Sequence, residues 1–382
     1  MSSNESPPTL QLYDEIEQRA AAPCLTIRVK RQVNTSSRNS FRYDYTLIWR
    51  DGSWEECESP EIKANHEAVL REKFKALNSS LESLGSRRLN QRLRRYGKEL
   101  YKALFSHKFD QLYWERIRNK VRTIQILSEE NIPWELIYPV NFRSDNIPDK
   151  GFLCEMYDIA HWFVGDPPTS TLAVDSFKIV AAIDDGFSQR EQSSIRSLLE
   201  NRRMGYHPIS PCWDDVCQAF SSGHQSILHF ICHGTDNPID SDQSSIYLNG
   251  DYFTPDDLGN IEDNPESFFV FLNGCETGLV GPGLGGSGGW PYTLVRELKA
   301  DVVIGTILKV PGEDASKFAI AFYEKLFSEG TRQLMKHPSG SRYYDPQLIL
   351  KAAKAARNAV KPAPTYLSYK VYGNPVAVVH SA

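Results

Sequence analysis

An α/β protein built on a mainly parallel sheet, with a smaller α+β region ahead of it, is predicted by three features of the sequence. The second half carries runs that are apolar nearly throughout: SFKIVAAIDDG, SILHFICHG, SFFVFLNGCETG and DVVIGTILKV. Segments with helical spacing separate most of these runs. The first half opens instead on two β-rich runs around a turn-forming cluster, with helical patterns after them. Strands without a polar face must be covered on both sides, and parallel sheets wrapped by helices provide that cover. The expected organisation is a flexible N-terminus over 1–21, an α+β portion over 22–165 and the main α/β domain over 170–382.

The elements follow in order. Residues 1–9 are rich in Ser, Pro and Asn, which favours disorder. CLTIRVKRQ, starting at Cys24, and FRYDYTLIW flank the polar NTSSRNS and read as a hairpin. Residues 61–83 and 87–106 read as helices; in the first, Ala68, Phe74, Leu77, Leu81 and Leu84 fall mostly on one side. A short strand is expected over 121–127, then IPWELIYP, then a polar loop over 141–151 containing Pro148 and Gly151. SFKIVAAIDDG begins the strand–helix alternation. A helix over 189–204, the short strand GYHPIS and a helix over 212–222 come next. The strands SILHFICHG and SFFVFLNGCETG are followed by a helix over 291–299 and the strand DVVIGTILKV. Ala315, Phe318, Ala319, Phe322 and Leu326 make 313–329 an amphipathic helix. A helix over 346–359 and the β-rich YLSYKVYGNPVAVV close the chain.

Bulk properties narrow the function classes. The 382 residues are 41% hydrophobic and 24% charged, as in ordinary soluble globular proteins. A net charge of −5 argues against a nucleic-acid binder. The opening MSSNESPPTLQLYDEIEQ has no apolar core of a secretory leader, and no stretch approaches the ~18 apolar residues of a membrane span. The seven cysteines form no CxxC pair and no zinc-finger spacing. The expectation is a cytoplasmic protein with reduced thiols, no membrane partner, no metal and no cofactor. His229 and His233 stand four apart, but on a strand that spacing does not converge on one ion. GPGLGGSGGW lacks the Gly-Lys-Ser/Thr ending of a phosphate-binding loop and reads as a flexible active-site loop.

The chemistry concentrates where the parallel strands end. Ligands of such sheets gather beyond the carboxyl ends of the strands. Here those ends read IDDG, CHG and NGCETG, which brings Asp184, Asp185, His233 and Cys275 to one edge. A cysteine hydrolase needs a thiolate, a base that makes it and N–H donors for the oxyanion. His233 and Cys275 supply the first two. Gly234 and Gly274 let the backbone turn, so the N–H groups near Gly234 and of Cys275 are the expected oxyanion hole. A lone His at a strand end is usually structural, and a buried Cys is usually a small hydrophobe. Both together, each beside a glycine at the same sheet edge, point to a catalytic dyad. Asp184 and Asp185 cap a helix or line a specificity pocket; in the second reading they favour Arg or Lys before the scissile bond. The basic stretch over 87–102 is a solvated helix face or a docking face. Its few aromatics favour an activating protein partner over a nucleic acid.

HFICHG resembles the histidine motif of CHAT domains, and FFVFLNGCETG resembles their cysteine motif. VRELKADVVIGTILKVPGEDASKFAIAFYEKLF resembles the strand-plus-helix block after the catalytic cysteine, VYGNPVAVV the closing strand, and IPWELIYP the segment ahead of the catalytic portion. The resemblance covers most of residues 90–382. It departs at Gly274, where the family often has Ala, and at Leu308, where it often has Trp. CHAT domains are similar to caspases and separases. The resemblance therefore implies a caspase-like sheet flanked by helices, endopeptidase activity on protein substrates through His233 and Cys275, and no cofactor. The alternatives are a catalytically silent CHAT scaffold and a partner-binding regulator working through the basic stretch.

Overall fold

A computed structural model describes residues 23–33, 39–63, 86–165, 171–200, 204–222, 226–259, 268–284, 286–327 and 348–374. It also describes shorter pieces at 65, 69, 72–73, 75–79, 168, 261, 335–336, 342–343 and 378–381. The expected flexible N-terminus, most of the NTSSRNS turn and several positions of the expected 61–83 helix lie outside the described residues.

Twelve strands form one sheet that runs through both halves of the chain. They are β1 (Leu25–Val33), β2 (Ser40–Trp49), β3 (Trp54–Glu58), β4 (Ile62–Lys63), β5 (Thr123–Leu127), β6 (Asp158–Trp162), β7 (Ser176–Ala181), β8 (Gly205–Ile209), β9 (Ser226–Ile231), β10 (Phe269–Asn273), β11 (Val302–Thr306) and β12 (Tyr369–Tyr372). Their order is β8-β7-β9-β10-β11-β12-β6-β5-β1-β2-β3, with β4 beside β2. Strands β8 to β11 form one parallel block. Strands β12, β6, β5 and β1 form a second. The blocks meet antiparallel at β11 and β12, so their carboxyl ends lie on opposite edges.

Among the described residues, the helices that cover this sheet and its flanks include α1 (Ser86–Leu104), α2 (Gly186–Glu200), α3 (Trp213–Ser221), α4 (Trp290–Arg296), α5 (Gly312–Leu326) and α6 (Leu348–Ala359). Alternate strand residues face opposite layers. Phe177, Phe269, Phe271, Val302 and Ile304 join Ile195 of α2, Phe318 and Phe322 of α5 and Ile349 of α6 in one core. Val180, Leu228, Phe230, Val270, Leu272 and Val303 join Val216 and Phe220 of α3 and Leu294 of α4 in another. Both faces being apolar is why these strands show no period-2 polarity in the sequence.

Three expectations need correction. Residues 62–63, expected at the start of a helix, pair instead as β4 with Ser40 and Phe41, where Ile62 is buried; helix is described only over 69, 72–73 and 75–79 within that span. The strand SILHFICHG stops at Ile231, and His233 starts a separate one. The glycine-rich segment expected to be flexible forms a hairpin, Gly281–Gly283 with Gly286–Gly288, around the Asp242 carboxylate. That carboxylate accepts from Leu284 N at 3.3 Å and Gly289 N at 3.0 Å. It fills the space that a Cβ on Gly283 or Gly288 would need.

Among the described residues, no helix is long and apolar enough to cross a membrane. No group of three His, Cys, Asp or Glu side chains there could hold a metal ion.

Candidate active site

Strands β7, β9 and β10 are parallel neighbours. Asp184 and Asp185 follow the first, His233 the second and Cys275 the third, all beyond the same edge. After β9 the chain turns at Cys232. His233–Thr235 then begins a three-stranded antiparallel ribbon with Ser245–Leu248 and Asp251–Phe253. The ribbon rests on the cysteine turn through Gly234. A Cβ there would lie 2.2 Å from Cys275 O and 2.8 Å from Thr277 Cγ2, so only glycine permits this approach. Gly274 is similarly close to Cys232, at 3.0 Å from both its O and its Sγ to an added Cβ.

Hydroxyls shape the turn itself. Thr306 Oγ1 donates to Gly274 O at 2.7 Å and accepts from Glu276 N at 2.9 Å. Thr277 Oγ1 lies 3.0 Å from Leu272 O. Glu276, just after the cysteine, takes a left-handed conformation with φ of 60°. Such a conformation costs about 1–2 kcal/mol for a non-glycine residue. These bonds and one from a distant segment oppose that cost: Asn78 Nδ2 donates to Glu276 Oε1 at 2.7 Å, while Asn78 Oδ1 accepts from Lys309 N at 3.0 Å. The 75–79 helical segment is thereby tied to both loops that flank the thiol.

His233, Gly234 and Cys275 line one cleft of about 770 Å³ with Asn78, Asp236, Glu276 and Lys309. Cys275 Sγ accepts from Val310 N at 3.4 Å. Burial pushes its thiol up; the Val310 N–H pulls it down only in part, Glu276 adds to the rise and Lys309 opposes it. Burial also pushes the Glu276 carboxyl up, helped by the Asp236 carboxylate. The His233 imidazole is exposed and has no hydrogen-bond partner among the described residues. The Cys275 backbone N–H likewise has no acceptor there. Thiol and imidazole thus share a cleft without a hydrogen bond between them.

Asp184 and Asp185 are exposed and do not line that cleft. Asp185 Oδ1 accepts from Phe187 N at 3.0 Å and Ser188 N at 2.7 Å, capping α2. Asp184 Oδ1 accepts from Gln189 Nε2 at 2.9 Å. A Cβ on Gly312 would lie 3.9 Å from Asp185 Oδ2, which puts this acid beside the segment that leads from Val310 into α5.

Reading the sequence did not find what supports the site from below. His229 is buried and shared between Glu191 Oε1 at 2.7 Å and the Tyr323 hydroxyl at 3.0 Å. Asn273 Nδ2 donates to the same Glu191 oxygen at 2.9 Å, and Tyr369 donates to Asn273 Oδ1 at 2.7 Å. This network joins β9, β10, β12, α2 and α5 two residues before the cysteine. Its one sequence signal was a histidine in the middle of an otherwise apolar strand.

No family model matches the chain, and no curated protein matches it. Solved structures do. Separase of Saccharomyces cerevisiae, in complex with securin, matches at 9% identity and a TM-score of 0.56 over 98% of this chain. A second separase–securin structure matches at 10% identity and 0.53 over 96% of it. This chain spans 31% of the separase chain. Gingipain R, an Arg-specific cysteine proteinase, matches at 12% identity and 0.49, over 72% of this chain and 68% of that one. The separase matches establish the fold: a caspase-like, mainly parallel sheet flanked by helices.

Proposed function

We propose that this chain is a cysteine endopeptidase in which His233 and Cys275 form the catalytic dyad. The observation that carries the reading is that both side chains border one cleft beyond neighbouring strand ends, with Gly234 seated on the Cys275 carbonyl. His233 would take the thiol proton, and the thiolate would attack the peptide carbonyl, forming the S–C bond. The oxyanion would be held by the Cys275 N–H, which has no acceptor among the described residues, and by an N–H near Gly234. As the C–N bond breaks, the leaving amine takes the proton back from the His233 imidazolium. Water, deprotonated by the same imidazole, then cleaves the thioester and regenerates the thiol.

The isolated chain fits a latent state. The thiol is pushed up rather than down, and the imidazole does not touch it. Activation would bring the imidazole to the thiol, in response to a protein partner. The separase to which the fold is similar is itself seen in complex with securin. On this chain the docking face we favour is α1, where Arg87, Arg88, Arg94 and Arg95 are exposed, and which suits an acidic protein segment. For the residue before the scissile bond we propose Arg or Lys. Asp184 and Asp185 are its charge partners, the latter standing beside the segment that leads into α5, and Glu276 and Asp236 add negative potential within the cleft.

The test is a positional-scanning peptide library read with wild type, Cys275→Ala, His233→Ala and Asp185→Asn. The last variant keeps the helix cap, since Asn caps as well as Asp, and removes only charge. Cleavage after Arg or Lys, abolished in the first two variants and weakened in the third, is expected. Cleavage that persists in Cys275→Ala contradicts the dyad. Preference for Asp or an apolar residue contradicts the charge partners alone.

A further inference from the structure

The ribbon that carries His233 has two unlike faces. Gly234, Ile246, Leu248 and Phe253 alternate with the residues of the other face. The three apolar side chains among them are fully buried in the core under the ribbon, so the ribbon is fixed. The outer face carries a single row across all three strands: His233 is the partner of Tyr247, and Tyr247 of Tyr252. Side chains directly opposite in an antiparallel ladder stand on the same face. Tyr247 is 37% exposed and Tyr252 65%. Their rings meet edge to face at 5.4 Å, and among the described residues neither hydroxyl has a hydrogen-bond partner.

Large exposed aromatic rings favour binding surfaces, where a partner covers the ring and the hydroxyl offers it a hydrogen bond. Chemistry says what would bind here. In the dyad proposed above, His233 returns its proton to the amine that leaves. Whatever lies beyond the imidazole, away from Cys275, therefore faces the chain on the C-terminal side of the scissile bond. Strands in a sheet are spaced about 4.8 Å apart, so Tyr247 stands roughly 5 Å and Tyr252 roughly 10 Å from the His233 backbone. An extended chain advances about 3.3 Å per residue. Its alternate side chains face the ribbon, so the second residue after the bond meets Tyr247 and the fourth meets Tyr252.

We propose that Tyr247 and Tyr252 form the binding platform for the leaving segment of the substrate, and that they select aromatic or large aliphatic side chains at its second and fourth positions. The proposal rests on the dyad for its orientation, but its test does not depend on turnover. The probe is a peptide with a free amino terminus, Gly-Phe-Gly-Phe-Ser, labelled with fluorescein at its C-terminus; Gly-Ser-Gly-Ser-Ser is the control. Fluorescence anisotropy is measured with Cys275→Ala protein and with the same protein carrying Tyr247→Ala, Tyr252→Ala or Tyr252→Ser. Binding of the Phe peptide that exceeds the control about tenfold, and weakens about tenfold in each tyrosine variant, is expected for aromatic contacts of this size. Thermal unfolding of the variants separates a lost contact from a lost fold, and the two substitutions at Tyr252 guard against one failing for its own reasons. Equal binding of the two peptides, or unchanged binding in the tyrosine variants, overturns the platform. Where the protein also cleaves a peptide bond, the ratio of kcat/KM for Phe-containing over Ser-containing leaving segments falls in the tyrosine variants. If the Phe peptide binds through the tyrosines but no peptide is ever cleaved, the protease reading fails and the platform stands.

Discussion

The thiol on which the proposed chemistry rests is, residue by residue, the one that its surroundings restrain. Cys275 is half-buried and its thiol is pushed up, so at neutral pH little of it is thiolate. Cys212 is exposed. Brief iodoacetamide treatment of the isolated chain should therefore label the exposed Cys212 faster than Cys275, whose thiol is less accessible and held protonated by its burial. Cys275 labelling should climb as pH rises past the ordinary thiol value. Peptide mass mapping over a pH series checks both. Rapid labelling of Cys275 at pH 7 in the isolated chain would mean that imidazole and thiol are already engaged. At this scale the sequence was legible in its glycines: Gly234 and Gly274 allow the close approach of ribbon and cysteine turn, beside the cleft that His233 and Cys275 share. It was silent on Asn78, whose bonds reach Glu276 and Lys309 across roughly two hundred residues of chain. No local pattern announces a contact that only the folded chain makes.

Among the elements, the ribbon and the cysteine turn act as a pair. Gly234→Ala would place a methyl group 2.2 Å from a backbone oxygen, where no side chain can yield. The ribbon must lift from the turn, at a cost of about 1–3 kcal/mol for the overpacking. A shift of about 1 Å in a catalytic group can cost 10²-fold in rate. The expected result is a folded variant, with Tm lowered by a few degrees, that cleaves its best peptide about 100-fold more slowly. Near wild-type kcat/KM would show that the approach of ribbon to turn does not position His233. The main strands were readable as elements because both faces are apolar, as Phe269, Val270, Phe271 and Leu272 illustrate. Strand β6 was missed because its polar members, Asp158 and His161, interrupt the apolar run although both are buried. Their partners come from elsewhere: Lys354 Nζ lies 3.2 Å from Asp158 Oδ1, and Glu135 Oε1 2.7 Å from His161 Nε2. The helix cap at Asp185 was one of two readings open in the sequence, and its two bonds to the first turn of α2 are present.

At the scale of the whole molecule, a buried charge cluster stands against β12, the strand at the seam between the two parallel blocks. Glu135, from the IPWEL segment, is fully buried. Burial alone would raise its carboxyl, yet His161, Lys370 and Arg357 hold it down at about 2. A carboxyl lowered in the folded state contributes stability that is fully present above its unfolded value, near 4.5, and is lost as pH falls toward 2. That difference corresponds to about 3 kcal/mol. Urea unfolding across this pH range should show the loss in wild type and a shallower decline in Glu135→Gln; equal slopes would remove Glu135 from the account of acid lability. The antiparallel meeting of β11 and β12 was not legible in the sequence, because the direction of a closing strand depends on the connection before it and not on its own residues. The claim on which the function rests is that His233 activates Cys275. The most direct measurement is the intact mass of the protein after exposure to a peptidyl acyloxymethyl ketone with Arg next to the reactive group, alone and with an acidic partner. One adduct that maps to Cys275, forms faster with the partner and disappears in His233→Ala is the expected result. An adduct on another cysteine, or one that forms equally fast in His233→Ala, would contradict the dyad.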